Sequence, residues 1–361
     1  MNDYLLQTIP DQPMDIIGDI HGEIQALEQL LCHLGHDSGK QPPRKLVFIG
    51  DLCDRGPDSV AVIERVRSLV EQGHAYAILG NHEINLLMDE PKDGAGWFFD
   101  ARRQPDMPHY APFTRATPTQ RPAIREFFRS LPLALESPSL RIVHAAWDPQ
   151  AISAIAHIPR GEIVEVASRW EQDTQIAAQT DNLYQRYLSE KTRWAAELED
   201  PDHPPPYLDA VARYEVLEQQ INPIKRLTSG IEAKSAAPFY SGNRWRYSDR
   251  TAWWDSYADD TPVVIGHYWR MFNLPSIRNA SRYSLLFNRV NATAWHGRNH
   301  RVFCVDYSVG ARWRDRKAGH PERQTRFRLA ALRWPECTLT YDNGERLATQ
   351  NAPTTIPKSK L

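Results

Sequence analysis

Three short apolar runs in the N-terminal third of the chain stop in the same way. Asp15-Ile16-Ile17-Gly18 leads into Asp19-Ile20-His21-Gly22, and Leu46-Val47-Phe48-Ile49 into Gly50-Asp51-Leu52-Cys53-Asp54-Arg55-Gly56. Ala75-Tyr76-Ala77-Ile78-Leu79 leads into Gly80-Asn81-His82-Glu83. Runs this short, bounded by glycine and polar residues, predict buried strands. Between them, Ile24, Leu27, Leu31 and Leu34, and then Val60, Ile63, Val66 and Val70, recur at helical spacing. Each set is the apolar face of a helix. Gly35 and the polar segment 37–43 close the first helix, and Gly73 sits just past the second. The order βαβαβ predicts a parallel sheet with right-handed crossovers, and so an α/β fold. Asp19, Asp51 and Asn81 stand about thirty residues apart, the length of one βαβ step. Their strand ends should therefore share one edge of the sheet.

Further along, residues 89–122 are rich in Pro and Gly and carry Trp97, Phe98, Phe99 and Tyr110, which predicts a loop, either near the mouth of that edge or plainly on the surface. A helix is expected over 125–130 and a strand over 140–143, delivering His144. From 151 to 235 strand formers give way to Glu, Gln, Ala and Arg, with breaks at 201–206 and at Pro223. A helical insertion follows from that composition. Strand character returns at 262–265, running into Gly266-His267, then at 302–305 before Asp306, and at 329–332. The expected organisation is a core of 14–150 and 236–346, an insertion of 151–235, and a flexible tail of 347–361.

Composition narrows the partners. Of 361 residues, 41% are hydrophobic and 24% charged, ordinary for a globular protein. Forty-three basic against 45 acidic side chains leave a net charge of −2, which speaks against nucleic acid or an anionic membrane as the main partner. No apolar run approaches the roughly 20 residues that span a bilayer, and the start lacks a signal-peptide profile. Cys32, Cys53, Cys304 and Cys337 lie far apart with no CxxC. They predict free thiols and a cytoplasmic setting. The closing Ser359-Lys360-Leu361 would be a peroxisomal address only in a eukaryotic source.

Asp19, His21, Asp51, Asn81, His144 and His267 are thus expected on one rim. Carboxylate, amide oxygen and imidazole suit Mn²⁺, Fe or Zn²⁺ and are no thiolate site. Six ligands exceed what one ion with open positions can use, but they suit two ions sharing a carboxylate. Asp51, central in the set, is the natural bridge. For Asp51 or Asp54 the plainer alternative is a helix cap, and for a lone His144 or His267 a structural histidine.

Asp-x-His, then Gly-Asp-x-x-Asp-Arg-Gly, then Gly-Asn-His-Glu resembles the calcineurin-like metallophosphoesterases, over about residues 14–150 and 236–340. The likeness is strongest to the branch of Ser/Thr protein phosphatases, PrpA-like phosphatases and symmetrical dinucleoside tetraphosphatases. It implies a four-layer αββα sandwich with two divalent ions, manganese foremost, with iron, zinc, nickel and cobalt as alternatives. By the same resemblance one ion takes Asp19, His21 and Asp51, and the other Asp51, Asn81, His144 and His267. Arg55 would clamp phosphate oxygens, His82 would protonate the leaving oxygen, and Asp54 would orient His82. The implied reaction is in-line attack on phosphorus by a hydroxide held between the ions.

Gly266-His267-Tyr268-Trp269 lacks the Gly-His-x-His of many nucleases of the superfamily, which favours the phosphatase branch. That branch usually adds an arginine between the last two histidines, and Arg244 and Arg246 are the candidates. Asp306 reads as structural, and the 305–306 strand end with 329–334 as the closing hairpin. The expected substrates are phosphomonoesters or nucleotide polyphosphates, with a phosphoprotein as the alternative. A non-catalytic binding module on the same scaffold and a nuclease rank lower.

Overall fold

A computed structural model describes residues 3–36, 44–272, 286–287 and 290–353. The strands are β1 (Leu6–Thr8), β2 (Met14–Ile17), β3 (Lys45–Phe48), β4 (Ala75–Ala77), β5 (Ala134–Glu136) and β6 (Arg141–Val143). They continue with β7 (Glu232–Tyr240), β8 (Trp245–Arg250), β9 (Val263–Ile265), β10 (Val302–Cys304), β11 (Ala330–Trp334), β12 (Thr338–Tyr341) and β13 (Arg346–Ala348). The helices are α1 (Ile24–Leu34), α2 (Ser59–Glu71), α3 (Asn81–Leu87), α4 (Asp100–Tyr110), α5 (Gln120–Arg129) and α6 (Pro149–Ile155). After them come α7 (Ile163–Ala177), α8 (Leu183–Arg193), α9 (Asp209–Ile221), α10 (Pro223–Ser229) and α11 (Arg312–Lys317).

Side chains alternate across the strands between two cores, as period-two geometry requires. Ile16, Val47, Ile142, Val264, Phe303 and Leu332 point into one shared cluster. Their neighbours Ile17, Phe48, Val143, Ile265, Cys304 and Ala331 point into another, with Leu27 and Leu31 of α1 and Ile63 and Val66 of α2. The first cluster lies between two sheets and the second under the helices, giving a layered αββα sandwich. One sheet runs β13-β12-β11-β2-β3-β4 and the other β1-β5-β6-β9-β10. Strands β2, β3 and β4 are parallel, as the βαβαβ order predicts. Gly35 ends α1 in a left-handed conformation; the 37–43 segment expected beyond it, like the last eight residues of the tail, lies outside the described residues.

Several segments differ from expectation. Helix α4 lies within the stretch expected to be a loop, although it contains Pro105 and Pro108. Asp106 anchors it, accepting the Gly96 N–H at 2.7 Å and the Arg102 guanidinium at 2.8 Å. Hairpin β7–β8 stands where no strand was expected, turning at Gly242-Asn243 with φ of 58° and 53°. Two left-handed residues in succession suit a tight hairpin turn. The closing hairpin pairs β11 with β12, while β10 lies in the other sheet beside β9. The tail starts in order: β13 pairs with β12, and Leu347 packs on the inter-sheet core. Strand β1, unanticipated, pairs with β5.

Asp15 on β2 is fully buried. Its carboxylate accepts from Arg44 Nε at 3.1 Å and Arg333 Nε at 3.0 Å, and His36 Nε2 lies 3.2 Å away. Burial alone would raise its pKa, but these three partners outweigh it and hold the carboxyl below its usual 3.8. A depressed folded pKa gives stability that is present above the unfolded value and lost as pH falls through the folded one. Asp15→Asn should therefore cost about 3 kcal/mol at pH 7, with the gap to wild type closing in acid. Denaturant melts at both pH values measure this; equal midpoints at pH 7 would show the cluster to be neutral for stability.

Candidate active site

Asp51 follows β3 where two strand ends approach backbone to backbone. Gly50 has φ +91°, and a Cβ there would lie 2.4 Å from the Gly80 nitrogen, so no larger residue fits. Asp51 itself is left-handed at φ 48°, as are His21 at 48°, Asp54 at 72°, Arg55 at 68° and His267 at 66°. Such conformations cost of order 1–3 kcal/mol each and persist only where the surroundings enforce them. Glu83, in the first turn of α3, does much of the enforcing. Its Oε2 accepts the N–H groups of Asp51 and Gly80, both at 2.8 Å, and its Oε1 that of Leu52 at 2.9 Å.

Three imidazoles surround the Asp51 carboxylate. His144 Nε2 lies 3.4 Å from Oδ1, and His21 and His82 Nε2 lie 3.7 and 3.8 Å from Oδ2. The ligand atoms of His21, Asp51 and His82 fall within 4.8 Å of one another, and so do those of Asp51, His144 and His267. Backbone carbonyls fix two of the rings: Nδ1 of His21 is 3.0 Å from Cys53 O, and Nδ1 of His144 is 2.7 Å from Ile49 O. Each contact favours the tautomer that turns an Nε2 lone pair inward.

Asn81 Oδ1, His144 Nε2 and His267 Nε2 are buried without a hydrogen-bond partner. Buried polar atoms rarely stay unpaired, and these three belong to the set expected around one ion. Burial and the Arg250 charge hold His267 well below its usual pKa, and burial with Arg55 does the same for His21. Both rings are neutral donors. Burial opposes charge on His144, yet Asp51 carries its pKa up to about 10. An amide oxygen and imidazole nitrogens left unpaired beside a buried carboxylate are a donor set that fits a divalent metal.

The second group of residues flanks this centre. His82 Nδ1 is 2.5 Å from Asp54 Oδ2, and Trp97 Nε1 donates to Asp54 Oδ1 at 2.6 Å. Burial disfavours the charged His82, but Asp51 and Asp54 together raise its pKa. Arg55 extends its fork toward both histidines, with Nη1 3.0 Å from His21 Nε2 and Nη2 3.2 Å from His82 Nε2. Its guanidinium also lies over the Trp269 ring, 4.9 Å from the centroid. Helix α2 is capped by Asp58, whose side chain accepts the Ala61 N–H at 2.9 Å. Asp51 and Asp54 are thereby released from the capping alternative.

The sequence profile of the calcineurin-like phosphoesterases matches residues 13–215, more than half of the chain. The protein belongs to this family. Among curated relatives, the asymmetrical bis(5′-nucleosyl)-tetraphosphatase PrpE of Oceanobacillus iheyensis is 47% identical over 74 residues, 19% of this chain and 30% of that protein. The symmetrical bis(5′-nucleosyl)-tetraphosphatase of Ralstonia nicotianae is 29% identical over 195 residues, 53% of this chain and 59% of that one. The chain thus matches less than two thirds of either relative's length. Among solved structures, a cold-active protein-tyrosine phosphatase from a psychrophilic Shewanella aligns over 97% of this chain and 83% of its own, at 13% identity and a TM-score of 0.45.

In this calcineurin-like phosphoesterase, the strand-end residues foreseen from sequence meet at one rim, with some differences in detail. Asp19 turns both carboxylate oxygens to the His267 N–H, at 3.2 and 3.1 Å, and lies outside the two tight clusters. Burial and Asp306 push its pKa well up. His82 falls inside a cluster. Arg244 and Arg246 sit by the β7–β8 turn, where Arg246 Nε donates to Ser241 O at 3.4 Å. Arg250, at the end of β8, also reaches the rim, donating to His267 O at 3.0 Å. Sequence reading named Glu83, Trp97 and Trp269 within its motifs and loop but gave none of them a role in holding the site. The Glu83 carboxylate could have been noticed as an acid in the first turn of a helix, whereas the other two act across distant stretches of chain.

Glu83→Ala would strand the buried N–H groups of Asp51, Leu52 and Gly80. An expected cost of at least about 2 kcal/mol should come with weaker divalent-ion binding in calorimetric titration. Wild-type metal affinity in this variant would show that Glu83 does not set the position of Asp51.

Proposed function

We propose that this chain is a two-metal phosphoesterase hydrolysing phosphomonoesters or the anhydride bonds of nucleotide polyphosphates. The observation that carries it is the trio of buried, unpartnered ligand atoms, Asn81 Oδ1, His144 Nε2 and His267 Nε2, around a carboxylate that three imidazoles already approach. Asp51 would be shared, with Asp19 and His21 completing one ligand set and Asn81, His144 and His267 the other. Manganese is the foremost candidate. Two such ions would polarise phosphoryl oxygens and make a nucleophilic water available at neutral pH.

The chain's own residues would do the rest. Arg55, its guanidinium 4.9 Å from the Trp269 ring centroid, would present a fork to two phosphate oxygens, with Arg244, Arg246 or Arg250 as a second clamp. His82 would donate the proton that the departing oxygen needs, and against the opposing effect of burial Asp51 and Asp54 raise its pKa in that direction. Asp54 fixes that ring, and Trp97 fixes Asp54. The tetraphosphatase names of the relatives support a nucleotide substrate, and the net charge of −2 argues against a polynucleotide. The four cysteines are free thiols, which supports a cytoplasmic setting. Among the described residues no helix is long and apolar enough to cross a membrane. The helices of 151–235 are read as an insertion into the 14–150 and 236–346 core.

Exhaustive chelation should abolish hydrolysis of an aryl phosphate and Mn²⁺ should restore it; activity that survives chelation sinks the mechanism. His82→Ala should slow substrates with poor leaving groups at least tenfold more than those with good ones, in keeping with the 10²–10⁴-fold typical of general acids. Equal losses would place His82 in metal geometry instead.

A further inference from the structure

Two segments that touch the metal-site residues also carry a patch of aromatic rings beside them. Gly310 packs on His21 so closely that a Cβ there would lie 2.2 Å from His21 Cδ2. Trp313 follows three residues on, about one helical turn along. On the other side, the Gly94 carbonyl accepts the Arg55 N–H at 3.2 Å, and the neighbouring Asp93 carboxylate accepts the Tyr110 hydroxyl at 2.5 Å. The two segments meet at the rings. Trp313 lies 5.2 Å from Tyr110 and 5.7 Å from His109, both nearly edge-on. Asn243 Nδ2 from the β7–β8 turn reaches Asp93 Oδ1 at 3.0 Å and the Tyr110 hydroxyl at 3.3 Å. Tyr110 is thus locked in place before any ligand arrives.

Trp313 is half-buried, while Arg314 and Lys317 are exposed. Their cations stand 5.4 and 5.9 Å from the Trp313 ring centroid. An indole with an accessible surface, cations around it and a braced aromatic neighbour combines the two elements that bind nucleotides without a sequence code. A ring stacks on the base, and positive charge meets the phosphates. The bracing matters because a fixed ring loses little entropy on binding.

We propose that Trp313, backed by Tyr110 and His109 and flanked by Arg314 and Lys317, is a nucleobase-stacking shelf that makes a nucleotide the preferred substrate of this site. This deepens the phosphoesterase reading and rests on it. Trp313 acts on specificity, since the reacting phosphorus is handled at Asp51, Arg55 and His82.

The test separates recognition of the base from catalysis. Equilibrium binding of AMP and of ribose 5-phosphate, which lacks the base, is measured on the full chain by intrinsic fluorescence and by calorimetry. The comparison uses wild type, Trp313→Ala and Trp313→Phe. Base stacking is worth about 5- to 150-fold in affinity. AMP should therefore bind wild type at least fivefold more tightly than ribose 5-phosphate, with the ratio falling to near one in Trp313→Ala and largely kept in Trp313→Phe. A wild-type ratio near one overturns the shelf, as does a ratio that Trp313→Ala leaves unchanged while only lowering Tm. Tighter binding of phosphotyrosine than of AMP overturns it in favour of a phosphopeptide. A parallel kinetic comparison of diadenosine tetraphosphate with base-free tripolyphosphate should show KM rising for the former alone in Trp313→Ala. If wild type hydrolyses neither, nor any aryl phosphate, the phosphoesterase reading fails while the binding ratio still decides the shelf.

Discussion

The structure turns on one buried carboxylate. Asp51 is almost wholly removed from water and sits in a left-handed backbone conformation, with imidazoles on both sides. A charge in such a place is costly unless opposite charge compensates it. Burial raises the Asp51 pKa, and His144 and His82 bring it back well below the ordinary value. The pocket therefore selects an ionised oxygen and seeks positive charge around it. Protons on the histidines can supply that charge, and so can divalent ions.

Everything near Asp51 serves to keep it there. The glycines at 50 and 80 let two strand ends close to backbone contact, and Glu83 binds both ends and the following turn through one carboxylate. The second sheet contributes His144 and His267 from β6 and β9, and the Gly266 N–H donates to His144 O at 2.8 Å. Two sheets are needed because the centre is assembled from both of their edges. The strain stored at His21, Asp51, Asp54, Arg55 and His267 is concentrated where chemistry is expected.

Much of this was legible in the sequence because it is local. Apolar runs ending in a metal-competent side chain, after a glycine in all but β6, marked β2, β3, β4, β6 and β9 and the residues just beyond them. What stayed hidden depends on distant partners. Trp97 reaches Asp54 across 43 positions, and Arg250 meets His267 through a backbone carbonyl that no side-chain pattern announces. Arg244 and Arg246 stand beside the turn of a hairpin that the sequence did not announce, and Arg250 at the end of its second strand meets the rim residue His267. Helix α4 was masked by its two prolines, which oppose helix formation and are offset here by the Asp106 contacts. Strands β1 and β13, three residues each, are not followed by the metal-competent side chains that marked the equally short β4, β6 and β9.

The central claim is that Asp51 is shared by two ions. Crystals grown with Mn²⁺ and measured at the manganese absorption edge test it directly. The expected anomalous map has two peaks per chain, about 3.5–4 Å apart, with the Asp51 carboxylate between them and Asn81, His144 and His267 around one peak. A single peak, or a pair that Asp51 does not touch, would contradict it.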